Sequence, residues 1–293
     1  MTPKGTLLII GGAEDKVDNP SLQIEKQNLE FKHFAILHML LKGKKKVEII
    51  TTASMFQEEV KELYQQTFNR IGLDNTGFIP IEKQSEAGLS KYIKRIEKAD
   101  AVFFSGGDQC RLSDILGDTP LIKLIAKRYH EEENFVIAGT SAGAMVMSKI
   151  MICGGGTNEV VFRNDLQTTS GFGWLEHCII DSHFIKRGRF GRLAHAVLIN
   201  PGQLGVGLGD DTALIVKNGH DAKCIGSGVV VIIDNSTIGQ TNIADEEDDE
   251  CGVFVENLKV HMLVKGCRFN LKTRMVANPA IDTIRIKGNG NPS

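Results

Sequence analysis

Short, mainly apolar β-rich runs recur through the first two-thirds of the chain, separated by longer stretches in which apolar residues return every three or four positions. The short runs are Thr6–Ile10, Val47–Thr52, Phe78–Ile81, Ala101–Ser105 and Phe135–Gly139. Each has the length of a strand and lacks polar alternation, the pattern of a strand covered on both faces. The stretches Leu22–Leu41, Gln57–Ile71, Leu89–Lys98, Thr119–Glu132 and Ala142–Ile150 carry helical spacing. Strands alternating with helices predict an α/β fold whose central, mostly parallel sheet is covered by helices on both sides.

Beyond about residue 205 the pattern changes. Ala213–Val216, Gly228–Ile233, Val253–Leu258 and Leu263–Phe269 read as short strands joined by Asn, Gly and Asp turns. The expected organisation is one domain over residues 1–293. Residues 1–210 form its α/β core with the catalytic residues, and 211–293 a β-rich extension of the same domain. The like-charge run Asp245–Glu250 is expected to be an exposed loop, and Lys287–Ser293 a flexible tail. No internal repeat is visible.

Composition narrows the functional classes. The chain has 293 residues, 42% hydrophobic and 24% charged, the balance of an ordinary globular protein. A formal net charge of −2 gives no electrostatic case for nucleic acid or a membrane surface. No apolar stretch approaches the roughly 20 residues of a membrane span. Met1–Gly5 leads into a strand without a signal-peptide core, so a cytoplasmic location is expected. The cysteines at 110, 153, 178, 224, 251 and 267 include no C-x-x-C pair and are expected as free thiols, without metal or disulfide. Cys110, in a glycine-rich segment, is placed to line a site.

The densest chemistry lies where the run Phe135–Gly139 meets Gly139-Thr140-Ser141-Ala142-Gly143, a G-x-S-x-G pattern followed by helix formers. This is the form of a nucleophile elbow, a sharp strand-to-helix turn with serine at its tip. In a parallel sheet ligands gather at the carboxyl ends of strands. Gly11–Asp15, Ser105–Gln109 and Asp181–His183 fall at such ends as well. A serine hydroxyl needs a neighbouring base. His183 follows the apolar strand Cys178–Ile180 at the end where ligands bind, whereas His33, His38, His130, His177, His195 and His220 sit in helices, a turn or a strand start.

A carboxylate should orient that imidazole. Asp181 is two residues away on one strand, which hinders contact, and Asp210 or Asp211 is the better candidate; the residues alone do not choose between them. Backbone N–H groups of Ala142 and of the Gly106-Gly107 pair, notably Gly107, are the natural oxyanion donors. Arg187, Arg189 and Arg192 cluster after His183 and suit planar carboxylates, pointing to an acidic substrate.

Five blocks taken together carry a family resemblance: Gly11–Lys16, Phe103–Leu112, Gly139–Ala144, Asp181–Phe184 with Arg187, Arg189 and Gly191–Leu193, and Gly205–Ala213. In this order they resemble the cyanophycinases, serine peptidases related to the aspartyl dipeptidases called peptidase E. The resemblance implies a fold similar to class I glutamine amidotransferases, a homodimer, and neither cofactor nor metal. It implies Ser141 as nucleophile, His183 as base and Asp210 in the place of the family's glutamate. The implied pocket residues are Gln109, Asp181, Ser182, Arg187, Arg189 and Arg192.

The implied reaction releases β-aspartyl-arginine from cyanophycin, a polyaspartate with arginine on its β-carboxyls, through an acyl-enzyme. Two positions depart from the family pattern, Ser182 replacing a glutamine and Asp210 a glutamate. Two other readings compete: a dipeptidase for aspartyl or isoaspartyl dipeptides, and a non-catalytic binding protein on the same scaffold.

Overall fold

Strand after strand in this chain divides its side chains between two cores. The structure, a computed structural model, describes residues 2–13, 35–44, 46–156, 160–243 and 252–277. In β1 (Thr6–Ile10), Leu7 and Ile9 enter one core while Leu8 and Ile10 enter the other. The strands β2 (Val47–Ile50), β3 (Thr76–Ile79), β4 (Ala101–Phe104) and β5 (Val136–Thr140) run parallel to it. Phe103 and Phe104 repeat the division, facing opposite cores. A run covered on both faces needs few polar positions, which is why β1, β4 and β5 read as apolar segments; Glu48 of β2 is the exception, fully buried and paired with Arg95 and Lys46.

Helices α1 (Ala35–Leu41) and α2 (Gln57–Arg70) cover one face, where Tyr64 and Phe68 pack on Phe103. The helices α3 (Ser90–Glu97), α4 (Gln109–Leu116) and α5 (Pro120–Glu131) cover the other. Their starts follow from local chemistry. The Asp108 side chain accepts from the N–H groups of Cys110 and Arg111, and the Thr119 hydroxyl accepts from Ile122 N–H ahead of a proline at the first helical position.

After β5 come the one-turn helix α6 (Ala142–Met145), the hairpin β6 (Ile150–Gly155) with β7 (Leu166–Ser170), and β8 (Cys178–Asp181). Then follow α7 (Phe190–Leu198), β9 (Leu204–Leu208), β10 (Thr212–Lys217), β11 (Asp221–Gly226) and β12 (Val230–Asp234). The last strands are β13 (Lys259–Leu263), β14 (Arg268–Asn270) and β15 (Met275–Ala277). The main sheet has the order β15-β14-β11-β10-β1-β5-β4-β2-β3, and a second sheet the order β13-β12-β9-β8.

The fold is therefore α/β, as expected, but the central sheet, expected mostly parallel, is mixed, because the late strands are woven into both sheets. β10 lies antiparallel beside β1, and β12 lies antiparallel beside β9.

Several elements differ from expectation. The helix expected over 142–150 stops at Met145, and Ile150 already begins β6. Val253–Leu258 is no strand and makes only a single bridge through Val255. The segment expected as one strand over 263–269 is the end of β13, a turn and the start of β14. The structure adds α4 and β11, which the apolar pattern did not announce. Most of the expected helix over 22–41, the acidic run 245–250 and the tail 287–293 lie outside the described residues.

Candidate active site

Ser141 stands where β5 turns sharply into α6. Its N–H donates to Ile10 O at 3.0 Å, and its own carbonyl accepts from Ala144 and Met145 N–H to begin the helix. The turn holds Ser141 at φ 52°, a left-handed conformation that a side chain rarely adopts. Strain of this kind costs about 1–3 kcal/mol and persists only where the surroundings enforce it. A close approach does so here: a Cβ on Gly143 would fall 2.3 Å from Phe104 O, so only glycine lets α6 sit this low on β4.

His183 comes from the second sheet, just past the end of β8. Its N–H donates to Gly11 O at 2.8 Å, and it too is left-handed, at φ 49°. The imidazole lies close against Gly12, where a Cβ would fall 2.3 Å from Cε1. His183 Nε2 is 3.1 Å from Ser141 Oγ, and Nδ1 is 2.6 Å from Asp210 Oδ1.

The structure also separates the two acids after β9. Asp210 meets His183. Asp211 is fully buried, with its N–H on Gly12 O at 2.8 Å and its carboxylate accepting from the Ser227 hydroxyl at 2.6 Å. Ile10, Gly11 and Gly12 thus supply three successive carbonyls to Ser141, His183 and Asp211.

Burial alone would raise the Asp210 carboxyl. The hydrogen bond from His183, with the charges of His183, Lys186 and Arg187, outweighs it and holds the pKa below the ordinary carboxylate value. Lys186 Nζ lies 3.9 Å from Asp210 Oδ2.

Across Ser141, the end of β4 continues into Ser105-Gly106-Gly107-Asp108. Asp108 N–H donates to Ala53 O at 2.9 Å, which fixes this loop beside Ser141. Among the described residues, neither Gly107 N–H nor Ala142 N–H donates to a protein acceptor. Gln109 opens α4 and its amide donates to Ile152 O at 3.0 Å, turning the side chain toward the β6–β7 hairpin.

The residues expected to hold substrate divide by burial. Arg187 is exposed, and among the described residues no ion pair engages it. Ser182 is buried, its hydroxyl 3.5 Å from Ser141 Oγ and donating to Met145 Sδ at 3.4 Å. Asp181 and Arg192 differ from expectation, being turned inward beneath the site. Asp181 is fully buried and receives Arg192 Nε at 2.6 Å and Arg189 Nη1 at 3.1 Å. A carboxylate taken from water needs such partners, and these two guanidinium groups occupy both of its oxygens. Arg189 also donates to Ser182 O at 2.6 Å and so braces the strand end that carries His183.

One pair escaped the sequence reading. Cys110 and Cys153 form a disulfide, with Cα atoms 5.6 Å apart, where free thiols were expected. A separation of 43 residues carries no pairing signature in the sequence. Cys178, Cys224 and Cys267 are free. Among the described residues there is no cluster of His, Cys, Asp and Glu that could hold a metal, and no helix long and apolar enough to cross a membrane.

A serine whose proton can pass to an imidazole, with a carboxylate behind it and two N–H groups beside it, is equipped for acyl transfer. Comparison with known proteins agrees in kind. The model of peptidase family S51 matches residues 20–224. A cyanophycinase of Trichormus variabilis is 33% identical over 286 residues, which span 97% of this chain and 92% of that protein. One from Synechococcus elongatus is 31% identical over 278 residues, 95% of this chain and 83% of that protein. The crystal structure of a peptidase from an acI-B1 Actinobacterium superposes with a TM-score of 0.62 at 25% identity, covering 92% of this chain and 98% of that one.

Proposed function

Because this chain belongs to peptidase family S51 and is a serine-type peptidase, we propose that it hydrolyses cyanophycin to β-aspartyl-arginine through Ser141, His183 and Asp210. The observation that carries the reading is the unbroken row from Asp210 Oδ1 through both imidazole nitrogens to Ser141 Oγ.

His183 Nε2 takes the hydroxyl proton as Ser141 Oγ attacks the carbonyl carbon. Asp210 accepts from Nδ1–H, fixing the tautomer and stabilising the imidazolium. The developing oxyanion faces the N–H groups of Gly107 and Ala142, each donor worth about 2.7–4 kcal/mol in the transition state. His183 returns the proton to the leaving amine, leaving the acyl group on Ser141. A water deprotonated by the same imidazole then releases it. Arg187, exposed beside the row, is suited to a substrate carboxylate, and Gln109 to a second polar group. The cyanophycinase relatives support this substrate, and the reading assigns Asp181 and Arg192 to support rather than contact.

The test is incubation of the protein with purified cyanophycin and detection of β-aspartyl-arginine by mass spectrometry. Release is expected, with Ser141→Ala lowering kcat about 10⁴-fold or more. Cleavage of aspartyl dipeptides with the polymer untouched would overturn the substrate. Failure of a fluorophosphonate to label Ser141 would overturn the mechanism and favour a binding protein.

A further inference from the structure

The Cys110–Cys153 bond lies outside the Ser141 row, yet its surroundings lead back to the pocket. Cys110 stands in the first turn of α4, one residue after Gln109 and three after Gly107. Cys153 lies in β6 where the ladder with β7 slips. Ile152 opposes Thr168 and Gly154 opposes Gln167, so Cys153 is the extra residue of a bulge. A bulge re-aims the side chain that it sets out of register. Here the side chain meets α4, and the Cα separation of 5.6 Å falls within the roughly 4.4–6.8 Å that a disulfide spans. Gln109, from the same turn, hydrogen-bonds the carbonyl just before the bulge. The hairpin is a two-stranded sheet of its own, seated on the core through Met151, Ile152 and Leu166, and it is tied to α4 by the disulfide, by Gln109 and by the Ser113 hydroxyl on Ser170 O.

We propose that Cys110 and Cys153 are a thiol–disulfide modification site that sets the affinity of the pocket, the oxidised form binding substrate more tightly. The choice of substrate rests on the function proposed above. A dithiol opens the site: the S–S bond breaks, each sulfur takes one electron and one proton, and the dithiol closes to its own disulfide. Both cysteines are half-buried and within reach of such a reagent. The core side chains of the hairpin stay seated with the bond open, but the bulge at Cys153 and the Gln109 side chain that bonds it lose a restraint and must be ordered when substrate binds, a cost the closed form has already met. The Ser141 row has no residue on the hairpin, so kcat is expected to stay level while KM rises. Linkage runs both ways: saturating substrate makes the bond harder to reduce by the same factor.

The test compares protein oxidised with glutathione disulfide and protein reduced with dithiothreitol, each assigned by peptide mapping. KM for cyanophycin is expected to rise about 3–10-fold on reduction with kcat unchanged. Cys153→Ser is expected to stay at the high KM and to ignore both reagents. Burial pushes the Cys178 and Cys224 thiols up to about 12, so neither should compete for an alkylating label in the native protein. Equal KM in two states whose mapped bond differs, or recovery of Cys110 and Cys153 as free thiols after oxidation, would overturn the site. If cyanophycin is untouched in both states, the substrate reading falls instead. Amide exchange over residues 150–156 and 166–170 then decides: faster exchange on reduction upholds the site, and equal exchange overturns it.

Discussion

Asp210 and Asp211 are adjacent and chemically identical, and the backbone gives them opposite surroundings. Asp211 is left-handed, at φ 50°. Its carboxylate goes inward to Ser227 while that of Asp210 goes outward to His183. Asp210→Asn keeps the shape but lets the amide favour the wrong imidazole tautomer. A fall in kcat of about 10⁴-fold is expected, with Asp210→Glu retaining far more, both measured by initial rates. Stability supplies a second reading. The folded-state pKa of Asp210 is depressed, so its ionised form stabilises the fold above the unfolded carboxylate pKa. That contribution fades as pH falls through the folded value. Denaturant midpoints of the native chain and Asp210→Asn should therefore converge as pH is lowered through the carboxylate range.

At the scale of the element, each central strand is a partition between two cores. Phe103 shows what one position contributes: it is fully buried and stacks against Tyr64 and Phe68 of α2. Phe103→Ala should cost about 3–5 kcal/mol, read from the shift in urea midpoint, because α2 cannot collapse into the space without leaving its neighbours. The same burial made β1, β4 and β5 legible as apolar runs, and β2 too despite the buried Glu48. It misled elsewhere, since Met145–Cys153 is apolar enough for helix or strand and only the tertiary setting ends α6 after one turn. Gly205-Val206-Gly207-Leu208-Gly209 reads as a turn by composition. It is largely β9, because its glycines let Leu193 and Phe184 pack down onto the strand.

For the whole molecule, the strands after residue 211 complete sheets begun by the strands before it. A chain built this way should unfold as one unit. Trp174, the single tryptophan, is packed against Phe104 and Phe172. Its fluorescence and the far-ultraviolet dichroism should give coincident urea transitions; two separated midpoints would show that the halves are independent. The site was legible to the extent that it was local. Ser141 and His183 announce themselves by strand-end context, while the choice of Asp210 over Asp211 depends on the Gly12 carbonyl, just past β1 at the far end of the sequence. Asp181 and Arg192, which the family resemblance placed in the pocket, are buried and paired with each other, a partnership no spacing in the sequence announces. The cysteine pair had no local signature at all.

The three carbonyls at the end of β1 have one more consequence. They hold Ser141, His183 and Asp211, yet none belongs to a side chain. The spacing of the row is therefore written into the length of that strand and hardly at all into its letters. Leu7, Leu8, Ile9 and Ile10 can be exchanged for other apolar residues with the oxygens still in step. A single deletion or insertion among them would shift every oxygen by one position and misalign all three partners at once. This stretch, on which the spacing of the row depends, carries no reactive group, and a survey of substitutions alone would pass over it.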